Sequence, residues 1–221
     1  SAGSKTGDAG NTVAIDNLGY IYIAGNCGDT SVFDQDTAFT GPSFIAKYDT
    51  MGNCIWVKTL AIDYIKTIVC DNHSNIFAVG TYSGTKIIGI TTLTSNGGND
   101  LVAAKFDSAG TNLWAIGIGG ADNENDYGNC GIAADDFGNA YITGTFYNTV
   151  TVGITTFTAS ASPNSSFYIA KIDSLANIKW AIEPTGTSDD FWGRSIAYSK
   201  KDNALYIAAV VKGNIVCGGS I

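Results

Sequence analysis

Hydrophobic and polar positions alternate along many short segments of this chain, and Gly, Asn, Asp and Ser separate one segment from the next. Segments of this kind, rich in Val, Ile, Thr and Tyr, are typical of β-strands. No window of a dozen residues has a sustained helical period. The clearest pattern recurs four times, at 13–25 (VAIDNLGYIYIAG), 67–80, 131–144 and 195–209. The alternation predicts an all-β protein built from repeated hairpins.

A second pattern keeps the same period. FIAKYDTMGNCIW at 44–56 returns as VAAKFDSAGTNLW at 102–114 and as YIAKIDSLANIKW at 168–180. A third marker, IIGITTLTS at 87–95, returns at 151–159 and begins again at 216–221. Three markers with one spacing indicate a repeat architecture with units of about 65 residues and roughly four strands each. We expect the Trp that ends the second pattern to pack against the neighbouring sheet.

The sequence indicates how the tight turns between these strands form. The Asp49 side chain can accept hydrogen bonds from backbone N–H groups two or three residues on, and Gly52 can take the positive φ that the turn needs. Ala176 replaces that glycine in the third copy, which predicts either a strained turn or a different one. Asn203 stands where Gly19 stands in the first hairpin, and Asn tolerates a left-handed backbone.

The repeated A-K-x-D motif places a Lys and an Asp on one face of a strand. These charged pairs have two interpretations, a binding rim or a structural ladder that ties adjacent strands or sheets together. Identical residues in every repeat favour the structural ladder. The pairs are Lys47 and Asp49, Lys105 and Asp107, and Lys171 and Asp173.

An aromatic residue recurs in the middle of one strand of each unit. Its position favours the core over an exposed rim that would bind sugars as a lectin does. We also expect Phe157 and Phe167, beside a polar loop, to pack inward. The recurring aromatics are Tyr22, Phe77, Tyr141 and Tyr206.

Four short strands per unit are typical of the blades of a β-propeller. GIAADDFGNAYITGTF, FIAKYDTMGNCIW and the linker GGADNENDYGNCGIA resemble the SBBP (β-propeller repeat) family of large secreted and cell-surface bacterial proteins. The resemblance covers nearly the whole chain, although 26–43 is shortened and LAIDYIK at 60–66 lacks the glycine-rich linker. It implies a propeller with an extracellular structural, adhesion or partner-binding role.

We place the blade units at about 11–60, 66–120, 130–185 and, in part, 194–221. A propeller carries about four to eight blades, so about three and a half blades predict an incomplete ring. We expect other blades of the same chain, or another copy, to complete it. A protein or glycan surface partner is a further expectation.

Composition disfavours several classes of function. The chain has 221 residues with a net charge of −8 and only 12 Lys and Arg, which disfavours nucleic acids and anionic membranes as partners. No run of 18 apolar residues predicts a membrane span. Five Cys without a C-x-x-C pair predict unbridged thiols, although one pair could be bridged in a secreted chain. They are Cys27, Cys54, Cys70, Cys130 and Cys217.

Catalytic motifs are missing. His73 is the single histidine and lies in a predicted turn, and the sequence contains no G-x-S-x-G, H-E-x-x-H or phosphate-binding loop motif. We therefore assign no catalytic or cofactor-binding residue and predict a protein that is not an enzyme. The alternative is a propeller hydrolase, lyase or quinoprotein whose active site lies in blades outside these residues.

A calcium site is the one metal hypothesis that the sequence raises. ADNENDYG places Asp122, Glu124 and Asp126 at alternating positions, with Asn123 and Asn125 between them. Hard oxygen ligands at this spacing suit Ca²⁺.

The loop nevertheless lacks the later bidentate acid of an EF-hand. Its counterparts keep only Asp189 and Asp190 in one copy and Asp8 in another. An inter-blade turn is the simpler interpretation, so we assign no metal ligand and keep calcium as the alternative. Asn72 and Asn164 match the N-glycosylation pattern, which we take as chance in a bacterial protein.

Overall fold

A computed structural model describes residues 2–3, 7–28, 31–33, 37–39, 41–124, 130–159, 165–186, 191–212 and 214–216. These residues contain β-strands and no helix. The strands are β1 (Ala2–Gly3), β2 (Ala9–Ile15), β3 (Ile21–Asn26), β4 (Ser31–Phe33), β5 (Thr37–Phe39), β6 (Ser43–Tyr48), β7 (Cys54–Leu60), β8 (Tyr64–Cys70), β9 (Ile76–Tyr82), β10 (Thr85–Ile88), β11 (Thr91–Thr94), β12 (Asp100–Phe106), β13 (Asn112–Ile118), β14 (Cys130–Ala134), β15 (Ala140–Tyr147), β16 (Thr149–Val152), β17 (Thr155–Thr158), β18 (Ser165–Ile172), β19 (Ile178–Ile182), β20 (Thr185–Gly186), β21 (Phe191–Ser199), β22 (Ala204–Val211) and β23 (Ile215–Val216).

The main strands form antiparallel sheets that follow one another along the chain. Sheet 1 is β2-β3-β6-β7, sheet 2 is β8-β9-β12-β13 and sheet 3 is β14-β15-β18-β19. Sheet 4 is the pair β21-β22. Each four-stranded sheet is a simple up-and-down meander, which is the arrangement that the repeated hairpins predict.

The first strands of successive sheets lie against one another, β2 on β8, β8 on β14 and β14 on β21. Because each sheet is a meander, its two hairpin turns lie at one end of the strands. We call this the tip end, and the opposite end, where the chain passes between sheets, the linker end. Small hairpins at the linker end, β10-β11 and β16-β17, join the second and third strands of sheets 2 and 3.

The GITT segments do not add a strand to the sheets. They contain the turns of the small hairpins, where Gly89 and Gly153 have φ values of 61° and 66° and the following isoleucines, Ile90 and Ile154, are fully exposed. The four strands of a sheet come from the other two patterns alone.

The tight turns have the backbone that the sequence predicts. Gly52 has a φ of 85°, and Asn203 has a φ of 48° in place of a glycine. Ala176 has a φ of 71°, so its turn has the same shape as the glycine turns and carries the strain of a Cβ in the left-handed region. Ser74, with a φ of 60°, is a further strained tip residue.

Aromatic side chains fill the spaces between sheets. Tyr22, Phe77 and Tyr141 are buried, and each ring lies 6.1 to 6.2 Å from the Trp of its own sheet. The prediction that Tyr206 is also a core residue is wrong, because 57% of its surface is exposed. Its counterparts each lie beside the Trp of their own sheet, whereas no ring contact of this kind covers Tyr206 among the described residues.

The tryptophans pack against the next sheet, as predicted. The indole N–H of Trp56 donates to the Ser108 carbonyl in the tip of sheet 2 at 3.3 Å. Trp114 belongs to the apolar cluster that contains Ile132 of sheet 3, and Trp180 packs against the cluster that contains Ile196 of sheet 4. Each of these three repeats therefore supplies a tryptophan that packs between its own sheet and the following one.

Candidate functional site

The first strands of the sheets surround a pocket of about 340 Å³. Its polar lining comes from all four sheets and includes Asn11, Lys66, Cys130 and Arg194. These four residues occupy one position of the repeat, at spacings of 55, 64 and 64 residues. Pockets of several hundred Å³ at a meeting point of structural units are typical ligand sites, so we call this the axial pocket and treat it as the candidate site.

β-Bulges place three of the four residues. In β2 the register moves from the pair Gly10–Gly25 to the pair Thr12–Ala24, which leaves Asn11 as the extra residue. Lys66 of β8 and Arg194 of β21 are extra residues in the same way. A bulge interrupts the alternation of a strand and redirects a side chain, which is why bulges are common beside binding sites.

The axial pocket is positively charged in an otherwise acidic chain. Lys66 and Arg194 line it, and neither forms an ion pair with any residue that the structure describes. The described lining contains no Asp or Glu. The Arg194 guanidinium lies 5.8 Å from the ring centre of Trp192, a contact that orients a cation without neutralising it.

Neutral polar groups complete the lining. Thr12 and Thr67 place their hydroxyl oxygens 3.4 Å apart, and Ser195 contributes a third hydroxyl. The Asn11 amide donates to the Ile65 carbonyl at 2.7 Å, which joins β2 to β8. Burial raises the pKa of the Cys130 thiol to about 12, so this residue is a neutral wall of the pocket.

At the tip end, three repeated aspartates are buried and fully bonded. Asp135 accepts from the backbone N–H groups of Phe137 and Asn139, from the Asn139 amide and from the Tyr141 hydroxyl, at 2.7 to 3.1 Å. Asp16 and Asp71 make closely related sets of bonds. These carboxylates close the first hairpin of each sheet.

The Lys of the A-K-x-D motif does not pair with the Asp of the same motif. The Lys47 ammonium donates to the Ser108 carbonyl in sheet 2 at 3.1 Å, and the Lys105 ammonium donates to the Gly138 carbonyl in sheet 3 at 3.2 Å. Lys105 also lies 3.9 Å from the Asp71 carboxylate. Lys171 lies with its ammonium 5.0 Å from the ring centre of Tyr141. The lysines therefore connect neighbouring sheets or cover the recurring aromatic.

The Asp of the same motif closes its own hairpin. Asp49 accepts from the backbone N–H groups of Met51 and Asn53 at 2.9 and 2.8 Å. Asp107 and Asp173 repeat this pattern. The structural interpretation of the motif is the one that the contacts support, and the motif residues form no common rim.

A pair of acids at the linker end breaks the repeat. Asp100 opens β12 and Glu124 follows β13, and both are almost completely buried. No described donor bonds either carboxyl oxygen of Glu124 or Oδ1 of Asp100. A Cβ on Gly119 would collide with the Asp100 carboxylate. A Cβ on Gly120 would collide with the Thr149 carbonyl and would also lie 3.0 Å from Oε1 of Glu124. Gly119 therefore makes room for the acid pair, and Gly120 allows the close approach of the Thr149 backbone.

Both members of the acid pair have a raised pKa. Burial, followed by the interaction with Asp100, raises the pKa of Glu124 to about 8, and burial also raises the pKa of Asp100. The Tyr168 hydroxyl is buried beside the pair and has no hydrogen-bond partner among the described residues; its pKa is raised by burial and by the nearby Cys130, Glu124 and Asp100. A protonated Glu124 that donates to Asp100 avoids two buried charges.

The loop that suggested calcium is arranged differently from a metal site where it is described. Asp122 accepts from the Asn148 amide at 2.9 Å, Asn123 accepts from the Asn99 backbone at 2.9 Å, and Glu124 points inward to Asp100. The structure does not describe 125–129, so Asn125 and Asp126 cannot be placed, and the same holds for Asp189 and Asp190. Within the described residues, no cluster of three or more His, Cys, Asp or Glu is arranged to hold a metal.

The other residues that the sequence singled out do not form a further site among the described residues. His73 lies at an exposed tip, where its backbone N–H bonds Asp71. Phe167 is buried and Phe157 packs on the core, as predicted. Cys27, Cys54, Cys70 and Cys130 are thiols and Cys217 lies outside the described residues, as does Asn164.

Neither the axial pocket nor the acid pair is predicted from the repeated sequence patterns. The four pocket residues share one repeat position, so an alignment of the repeats extended toward the start of each first strand contains the signal. Asp100 and Glu124 have no such signal, because each interrupts the repeat and they meet only in three dimensions.

Comparison with known proteins gives no family. No protein-family model and no curated protein matches the chain. Among solved structures, the Dos1 propeller is similar over 99% of this chain and 74% of its own, with 9% identity and a TM-score of 0.37. A protein of unknown function from Bacteroides caccae is similar over 81% and 83%, with 11% identity and a TM-score of 0.25. Likenesses of this size establish neither a family nor an activity.

The described residues include no helix with the length and apolar character needed to cross a lipid bilayer.

Proposed function

We propose that this chain is part of a β-propeller and serves as a non-enzymatic scaffold, adhesion or partner-binding region of a secreted or cell-surface protein. The support for the propeller is the succession of antiparallel meander sheets whose first strands meet around a shared pocket. The extracellular setting rests on the motifs that resemble SBBP repeats.

One observation carries the scaffold role. The A-K-x-D residues that recur in three units serve the structure: the lysines connect neighbouring sheets or cover the recurring aromatic, as Lys47 at Ser108 and Lys105 at Gly138 exemplify, and the aspartates close their own hairpins. Residues that serve structure in each copy are not free for catalysis, and a regular framework of this kind is suited to presenting a surface. The buried acid pair gives no support to a hydrolase, because a substrate cannot reach Asp100 or Glu124.

We further propose that additional strands cover the open edge of sheet 4, either from further blades of the same chain or from another copy. Tyr206 is 57% exposed, whereas Tyr22, Phe77 and Tyr141 at the same repeat position are at most 3% exposed. A strand such as β22, which has one partner strand among the described residues and carries an exposed aromatic, is a surface that favours pairing.

Light scattering on the 221-residue chain and on Tyr206→Ser tests this edge. We expect wild type to associate with increasing concentration and Tyr206→Ser to associate less. Leu18→Ser, at an exposed tip, is the matched control and should behave as wild type. A wild-type chain that stays monomeric, with slow hydrogen exchange in β22, would contradict an uncovered edge.

The non-enzymatic role needs a separate experiment. The chain is incubated with ester, glycoside and polysaccharide substrates, and turnover is compared with that of Lys66→Gln and Arg194→Gln. We expect no turnover above buffer. Turnover that a single one of these substitutions abolishes would overturn the proposal and favour a propeller enzyme.

A further inference from the structure

We propose that the axial pocket binds a small anionic ligand through a carboxylate or phosphate group, with Lys66 and Arg194 as the residues that hold it. This inference goes beyond the scaffold role and does not depend on it, because a propeller can combine a structural function with a ligand site.

The charge of the pocket is the first argument. Two cations line one half-enclosed space, no described residue pairs with either, and no described lining residue is acidic. Two cations that line one pocket both attract an anion bound there. In a chain of net charge −8, two cations in one pocket without an ion-pair partner among the described residues are a local exception.

The backbone supplies an independent argument. Lys66 and Arg194 reach the pocket because each is the extra residue of a β-bulge, and Asn11 stands in a third bulge at the same repeat position. The extra residue of a bulge is left out of the regular strand pairing, and its side chain points in a different direction. The β14 strand of sheet 3 runs without such a shift, and its residue at this position, Cys130, is neutral. The polar residues thus coincide with the bulges.

The remaining lining suits the oxygens of an anion. Thr12, Thr67 and Ser195 provide hydroxyl donors around the two cations. A volume of about 340 Å³ accommodates a small molecule rather than a polymer chain. No aromatic side chain is found among the described lining residues, so an uncharged sugar has no ring to stack on. Arginine gives a forked, planar contact to carboxylates and phosphates, which fits Arg194 for either group.

Calorimetric titration at low ionic strength tests the proposal with three probes: inorganic phosphate, glucuronate and glucose. Glucose is the uncharged counterpart of glucuronate. We expect wild type to bind at least one of the two anions and not glucose. Tighter binding of phosphate would identify a phosphorylated ligand, and tighter binding of glucuronate would identify a carboxylate ligand.

The variants Lys66→Gln and Arg194→Gln should each weaken binding by about tenfold or more, since each removes a charged hydrogen-bond donor. Arg194→Lys keeps the charge and should lose less than Arg194→Gln. Lys201→Gln makes the same change of net charge at an exposed hairpin turn and should stay within about twofold of wild type. Thermal melts of all variants show whether each one is folded.

Three results would overturn the proposal. They are the absence of binding of either anion to wild type, equal losses in Lys201→Gln and in the two pocket variants, and glucose binding as tight as that of glucuronate. The second result would mean that net charge alone attracts the anions. The third would favour a site for neutral sugars.

Discussion

The two ends of the sheets bury carboxyl groups in opposite ways. At the tip end, Asp135 accepts four hydrogen bonds from residues of its own hairpin. At the linker end, Glu124 is as deeply buried and accepts none from the described residues. Hydrogen-bond donors replace the water that burial removes from a carboxylate. Glu124 has few such donors, and burial raises its pKa.

The two kinds of buried acid also differ in whether they recur in the repeat. The bonded aspartates recur in sheets 1, 2 and 3 and close the same turn each time. The acid pair occurs once, between sheets 2 and 3, and connects an element of one sheet to the linker that leaves it. A repeated feature stabilises the unit, whereas a feature that occurs once distinguishes one junction from the others.

The largest expected effect comes from removing a bonded carboxylate. Asp135→Ala leaves four donors without their acceptor in a buried turn, and we expect it to lower the free energy of unfolding by about 4 kcal/mol. Urea denaturation followed by Trp fluorescence measures the loss. Asp49→Ala removes the same kind of turn from a solvent-exposed hairpin, where water can replace the carboxylate, so its loss should be clearly smaller. Equal losses in the two variants would show that burial of the donors has no influence.

The acid pair should make stability depend on pH. The pKa of Glu124 is about 8 in the folded chain, against an ordinary value of 4.5. Below 4.5 both states hold the proton, and above 8 neither does. Between these values the unfolded chain releases a proton that the folded chain keeps, so the free energy of unfolding falls by about 1.4 kcal/mol for each pH unit.

Glu124→Gln sharpens this prediction, because its amide donates to Asp100 without a proton from solution. We expect the fall between pH 5 and 8 to disappear in this variant. Asp122→Asn, in the same linker, is the control and should keep the wild-type fall. Denaturation curves at half-unit pH steps give both slopes. A wild-type profile that is flat, or that rises, over this range would contradict a shared proton.

The third change removes Lys105, the cation beside the tip-end carboxylate of Asp71. No described cation pairs with the acid pair in the same way. Lys105→Met deletes the bond to the Gly138 carbonyl and leaves Asp71 without its cation, so we expect a loss of about 2 kcal/mol. Lys179→Met removes a solvent-exposed lysine 4.0 Å from Asp173 and should have no measurable effect. If both substitutions are neutral, the connection between sheets 2 and 3 does not depend on Lys105.

The smallest effect concerns a single tip. Ala176 has a φ of 71°, where Gly52 and Gly110 stand in the other copies. Ala176→Gly relieves the strain of a left-handed Cβ and should raise the free energy of unfolding by about 1 kcal/mol. Gly52→Ala is the reverse change at the matching turn, with no atom within 4 Å of the added Cβ, and should lower stability by a similar amount. Thermal melting detects both shifts.

The sequence by itself determined the strands, the repeat and the turns. Alternation, Gly and Asn at the turns, and the recurring Asp, Lys and Trp are local signals, so each copy can be recognised without its neighbours. It also indicated that Lys47 and Lys105 serve structure. It misplaced Tyr206, because a residue's burial depends on the strands that cover it and not only on its place in the repeat.

Only the tertiary structure decided which residues meet across sheets. Asp100 and Glu124 are 24 positions apart and follow no period, so only the packing of the linker onto sheet 2 brings them together. Asn11, Lys66 and Arg194 share a repeat position, but a bulge is a departure from strand alternation that hydrophobic patterning does not reveal. Their convergence follows from the first strands lying against one another, a contact between distant parts of the chain.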